Sequence, residues 1–189
     1  MKKLLIVSCI CISSALFAFQ PGFSVYGLYD FTNKVDVSMS GIDFAYNYKE
    51  TPGVGLSYSE LINDIGFSID CAYYLDRTVD SGTAFGITAP FSGTLVKFSQ
   101  LITQANLLTS ISDNLIVFGG INYTYMSFTN TSAKLEGDFG YQAGAILGSD
   151  TLSFKLAYQL INGKLVSESG ISSDKFTASG LVASVMLTI

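Results

Sequence analysis

Few residues in this chain have the types and spacing that chemistry needs. The 189 residues include no histidine, which removes the Ser-His-acid hydrolase arrangement and any histidine metal site. Serines are abundant, but in stretches such as SESGISSDKF they read as turn and solvent residues, and no nucleophile has a neighbouring base. The acids Asp36, Asp43, Glu136, Glu168 and Asp174 could hold a cation, yet their spacing matches no calcium loop. An enzyme is therefore not expected, nor a cofactor or a bound metal. What remains is a scattered polar set, Asp30, Asp70, Asn122, Gln142, Lys155 and Gln159, each embedded in a run of alternating apolar residues.

The elements that must position this set are strands. Apolar residues recur at a period of two along most of the chain, and segments of helical period are missing. Strands are predicted at 22–33, 52–60, 65–76, 95–108, 115–128, 137–148, 152–163 and 176–189. The connections at 61–64, 109–114 and 149–151 are short, whereas those at 34–51, 77–94, 129–136 and 164–175 are long. Strict alternation of short turns and long loops is the layout of an all-β, eight-stranded antiparallel up-and-down transmembrane β-barrel. Composition agrees, because only 13% of residues are charged while 49% are hydrophobic, against a charged share of roughly a quarter in soluble domains. Mean hydropathy is +0.42, although beyond the first twenty residues no apolar run approaches the ~20 residues of a spanning helix.

The N-terminal stretch MKKLLIVSCICISSALFAFQPG places Lys2 and Lys3 before an apolar run that ends at the small residue Ala18. This pattern predicts a secretory signal peptide over 1–18, leaving a barrel domain over 19–189, with Ala15 as the alternative cleavage site. A membrane anchor and lipoprotein processing at Cys9 fit less well, the apolar run being too short for either. Cleavage leaves eight basic against fifteen acidic residues and moves the formal charge from −5 to −7, so nucleic acid is not an expected partner. Cys71 is then the remaining cysteine, with no disulfide partner, and it reads as a small apolar residue of its strand.

Sidedness separates a barrel in lipid from one in water. Ile65, Phe67, Ile69, Cys71, Tyr73 and Leu75 share a face opposite Ser68, Asp70, Ala72 and Tyr74. Leu152, Phe154, Leu156, Tyr158 and Leu160 likewise oppose Ser153, Lys155, Ala157 and Gln159, and Phe139, Tyr141, Ala143, Ala145 and Leu147 oppose Asp138, Gly140, Gln142 and Gly144. Small, amide and occasional charged residues suit a crowded interior better than a solvated sheet. Between 95 and 108, a one-residue bulge near Ser99 would set Val96 and Phe98 outward above it and Leu101, Thr103, Ala105 and Leu107 outward below it. Outward aromatics form two bands. Phe23, Tyr58, Phe67 and Phe154 lie near the short turns, and Tyr29, Phe31, Tyr73, Tyr123, Tyr125, Phe139 and Tyr141 lie toward the long loops, as the girdles of a membrane barrel do.

The mature chain resembles the small eight-stranded bacterial outer-membrane β-barrels, OmpA-like or OmpX-like in architecture. The most specific stretches are the hairpin FGYQAGAILGSDTLSFKLAYQL and the terminal LVASVMLTI. The resemblance implies localisation in the bacterial outer membrane, with membrane lipid and the barrel assembly machinery as partners. It also implies that Leu181, Ala183, Val185, Leu187 and Ile189 form a C-terminal assembly signal; Ile189 stands where a Phe is usual.

Eight strands enclose a space that side chains can fill. Tyr26, Asp30, Asp70, Asn122, Gln142, Lys155 and Gln159, with Lys97 as a further candidate, are expected to form a hydrogen-bonded plug in which Lys155 pairs with Asp70. The leading function is structural, with surface interaction through four loops and an unknown ligand. The alternation Ile42, Phe44, Tyr46 and Tyr48 would extend the first two strands beyond the membrane and offer a sheet edge or aromatic face. The alternatives are a narrow porin-like channel and a soluble lipocalin-type binding barrel.

Overall fold

The computed structural model describes residues 22–31, 34–90, 97–129, 134–149, 151–166 and 172–189. The expected signal peptide, Cys9, Val96 and Glu168 lie outside them. The described residues form eleven strands: β1 (Gly22–Asp30), β2 (Lys34–Met39), β3 (Ile42–Tyr48), β4 (Thr51–Ile62), β5 (Ile65–Ala84), β6 (Ile87–Pro90), β7 (Lys97–Ser112), β8 (Leu115–Thr129), β9 (Lys134–Gly148), β10 (Leu152–Val166) and β11 (Lys175–Thr188).

These strands make eight staves. β1 pairs with β4, and the antiparallel ladder runs on through β5, β7, β8, β9, β10 and β11, which pairs back to β1 from Ser24↔Thr188 to Asp30↔Val182. Closure leaves neither the first nor the last stave with an open edge, so an apolar strand can end the chain without exposing unpaired backbone groups. At the opposite end from the tight turns, β2 pairs with β11 and β3, and β3 with β5, so β1–β2 and β3–β4 are single staves interrupted once each.

The expected loops at 34–51 and 77–94 are thus largely strand. Val35 and Val37 alternate inward on β2 and are buried, and this second layer of apolar packing lets the wall continue upward. The β2–β3 and β5–β6 hairpins turn at Ser40-Gly41 and Phe85-Gly86, where both residues of each turn have positive φ. That is the geometry whose twist matches the flanking strands.

Two bulges rearrange sidedness. On β5, Leu75 and Asp76 together oppose Ser99 of β7, and the inward set switches from Tyr74 to Arg77. β7 itself keeps one parity, with Phe98, Gln100, Ile102, Gln104 and Asn106 all buried. The bulge expected on that strand therefore belongs to its neighbour. Phe98 points inward rather than outward, and Lys97, at the opposite parity, is not an interior residue. The second bulge sets Phe139 and Gly140 of β9 against Ile161 of β10 and leaves Asp138 exposed, not on the inward face with Gln142.

Candidate functional site

The interior of the barrel is built in layers. Nearest the tight turns, Leu108, Ile116, Phe118, Ile146 and Ala157 pack together with Leu61 against them. Nearest the long loops, Val35, Val37, Tyr48, Phe98, Met126 and Phe176 belong to a larger apolar cluster, in which the Tyr48 and Phe98 rings meet edge to face at 4.9 Å. Burial pushes the Tyr48 phenol above its ordinary pKa, so it stays neutral there.

Polar groups occupy the space between. Lys155 Nζ lies 2.7 Å from Asp70 Oδ2, and both side chains are almost fully buried, at 6% and 1% exposure. Asn106 Nδ2 donates to the same carboxylate oxygen at 2.8 Å, and Gln142 Nε2 donates to Asn106 Oδ1 at 2.6 Å. Asn122 Nδ2 then donates to Gln142 Oε1 at 2.7 Å. One connected network therefore joins β5, β7, β8, β9 and β10 through side chains alone. Lys155 also sits over the Phe118 ring at 4.8 Å, which ties the cation to the apolar layer below.

A second group lies closer to the loops. Arg77 donates to Asp30 in a buried ion pair, its guanidinium 5.1 Å from the centre of the Tyr74 ring, and the Tyr74 hydroxyl donates to Gln159 Oε1 at 3.1 Å. Space for this layer comes from β4. Tyr26 folds over Gly55, where an added Cβ would overlap its ring.

All six polar residues singled out in the sequence are buried. The structure brings Asp70 to Lys155 and Asn122 to Gln142, while Asp30 and Gln159 join the second group. Arg77, Gln104 and Asn106 also line the interior; the expected outward parity of Leu101, Thr103, Ala105 and Leu107 turns Gln104 and Asn106 inward, though neither stands in the polar set, and Arg77 lies outside the expected strands. Arg77 fell in a presumed loop because the bulge at Leu75-Asp76 breaks the alternation, whereas Gln104 and Asn106 were legible from unbroken parity along β7. Among the described residues four charged side chains are buried, Asp30, Asp70, Arg77 and Lys155, and their formal charges sum to zero. Two cavities among these layers hold about 20 Å³ and 10 Å³, room for about one water each. Among the described residues no three His, Cys, Asp or Glu side chains gather to share a metal ion.

The outer surface is the inverse of a soluble barrel. Val54, Leu56, Ile65, Ile69, Leu107, Ile121, Leu156, Leu181, Val185 and Leu187 are all exposed. Phe23, Tyr58 and Phe67 form a continuous aromatic row near the turns, with ring centres 4.9 and 6.1 Å apart, and Phe154 is half-buried on β10. Toward the loops, Tyr123 contacts both Tyr125 and Phe139, Tyr29 stacks edge to face on Phe31, and Tyr73 and Tyr141 stand exposed. Cys71 is exposed on the same apolar face. Among the described residues no helix is long and apolar enough to cross a membrane, which leaves crossing by strands untouched.

No protein-family model and no curated protein matches the chain. Among solved structures it is similar to Ail, the attachment invasion locus protein of Yersinia pestis, at 16% identity and a TM-score of 0.43, over 89% of this chain and 100% of that one. A structure of the same protein in complex with the heparin analogue sucrose octasulfate matches at 16% identity over the same shares, with a TM-score of 0.45. Likeness of this grade concerns fold alone. By its own strand pairing, the chain is an all-β antiparallel barrel of eight staves.

Proposed function

We propose that this chain is a bacterial outer-membrane barrel that acts at the cell surface through its loop end, with its interior closed by side chains. The observation that carries the reading is the inverted sidedness: an apolar exterior bounded by two aromatic bands surrounds a hydrogen-bonded polar interior. Residues 1–18 serve as the export signal and 19–189 as the barrel. Leu181, Ala183, Val185, Leu187 and Ile189 serve as the signal read by the assembly machinery. Phe23, Phe67 and Phe154 mark the periplasmic interface, and Tyr29, Tyr73, Tyr123 and Tyr141 mark the outer one. The long loops face outward and meet a ligand, and no catalysis is involved. The Ile42–Tyr48 stretch extends the wall as expected but offers no free sheet edge, since β3 is paired on both sides.

Fractionation tests the reading. The mature protein is expected in the outer membrane, resistant to urea extraction, with faster gel mobility unheated than boiled. A protein that stays soluble without detergent and migrates identically either way would be a lipocalin-type barrel instead.

Support for a closed interior comes from the two apolar layers and the paired charges, between which two cavities of only about 20 Å³ and 10 Å³ lie. In planar bilayers the purified protein is expected to show no discrete conductance steps. Reproducible steps, abolished by Lys155→Met, would establish the narrow-channel alternative.

A further inference from the structure

Two buried donors at one level of the interior have no partner. Arg77 Nε and Gln100 Nε2 both lack an acceptor, although the Arg77 side chain is only 7% and Gln100 only 2% exposed. Guanidinium and amide groups held so far from water without an acceptor cost the fold their full desolvation. Both residues line the same cavity, the one of about 20 Å³.

The bulge on β5 brings them together. Gln100 of β7 stands opposite Tyr74, and the next paired position sets Arg77 opposite Phe98, because Leu75 and Asp76 share the place between. Regular alternation after Tyr74 would have turned Asp76 inward; the extra residue puts a guanidinium there instead. Phe98 and Ile161 add apolar wall to the cavity, and neither side chain can accept a hydrogen bond.

What the cavity takes follows from what is left over. Its charged and amide acceptors are engaged: Asp30 accepts from Arg77, and Gln159 Oε1 accepts from the Tyr74 hydroxyl at 3.1 Å. Among the described residues, no unpartnered side-chain acceptor lines it. The leftover groups are all donors, so a metal ion or an ammonium is not the occupant. Size removes polyatomic anions such as phosphate or a carboxylate, since there is room for about one water. Charge does not separate the two candidates that remain. Arg77 and Asp30 cancel, and Lys34, which also borders the cavity, pairs with Asp36 at 3.0 Å.

We propose that this cavity binds a single-atom hydrogen-bond acceptor, a water oxygen or a halide ion, held between Arg77 Nε and Gln100 Nε2. The occupant gives Arg77 a second partner beside Asp30 and joins β5 to β7 where the bulge interrupts their ladder. The site lies inside the wall, so it stands or falls separately from the membrane reading.

A crystal structure of the full mature barrel, grown with bromide in place of chloride and measured at the bromine absorption edge, tests it. One density peak is expected within hydrogen-bond distance of both nitrogens. An anomalous signal at the peak identifies a halide, and a peak without that signal identifies water. Gln100→Leu removes one donor and should lose the peak while the Arg77–Asp30 pair persists. Heat-modifiable gel mobility of the variant reports the barrel separately, so loss of the fold is not mistaken for loss of the site. The proposal is overturned if no peak bridges the two nitrogens in the parent protein, or if Arg77 Nε donates directly to Asp30 or to the Gln100 amide oxygen. A peak of full height in Gln100→Leu overturns it as well.

Discussion

Lys155→Met destabilises the folded barrel by about 3–5 kcal/mol, the usual cost of removing one member of a buried ion pair. Asp70 is 1% exposed, and its Oδ2 receives Lys155 at 2.7 Å and Asn106 at 2.8 Å. Without the ammonium, the buried carboxylate keeps only Asn106 at 2.8 Å and Ser68 at 3.5 Å as donors, and a buried charge so poorly compensated costs folding free energy. The double variant Lys155→Met with Asp70→Leu removes both charges, and it is expected to recover most of the loss because two apolar side chains need no solvation. Reversible urea unfolding in lipid vesicles, followed by gel mobility, measures both. If the single variant falls within about 1 kcal/mol of the parent, the pair does not hold the interior together and the proposed plug loses its centre.

The second large effect lies on the other face of the same strand. Ile69 is 58% exposed and pairs across β5 with Tyr58 and Ala105, between the aromatic bands. Ile69→Arg, two residues above Phe67 of the turn-side band, is expected to cost about 1–3 kcal/mol, between the midplane and interface penalties for a cation on a membrane barrel. Asp80→Arg, exposed at the loop end, is expected to cost almost nothing. On a soluble barrel the ranking collapses, since an exposed isoleucine replaced by arginine stays within ±0.5 kcal/mol. Equal and negligible costs for the two variants would therefore remove the membrane reading without reference to any binding assay.

Cumulatively, these two substitutions probe opposite sides of one stave, and alternation alone separates those sides. Because successive strand side chains point to opposite faces, the parity of Ile69 and Asp70 could be read directly from IGFSIDCAYYL. The terminal strand was legible for the same reason, with Leu181, Val185 and Leu187 exposed and Val182 and Met186 buried. Arg77 was not legible. Two residues, Leu75 and Asp76, face one on β7, and a bulge of this kind resets parity without a local sequence signature. Asp138 went astray through the mirror-image event on β9, where Phe139 and Gly140 take the extra place.

Phe98 shows a different limit. An aromatic beside Lys97 and Val96 looks like part of an outer girdle when polarity is expected inside, but the loop end of this interior is apolar. Tyr48 at 4.9 Å and Phe128 at 5.6 Å make the space that Phe98 fills. Those neighbours come from separate staves, and no local pattern in LVKFSQ reports them.

By itself the sequence determined the eight staves, the places of the short turns, the absence of histidine chemistry and the face on which each regular strand is apolar. All of these depend on period-two geometry or on composition, which act within a few residues. The tertiary structure decided where the ladder slips, that the first two long connections continue the wall, which partner each buried charge meets, and that Phe85 is exposed at the β5–β6 turn. These outcomes depend on contacts between staves far apart in the chain, where a single extra residue on one strand changes which side chains can meet.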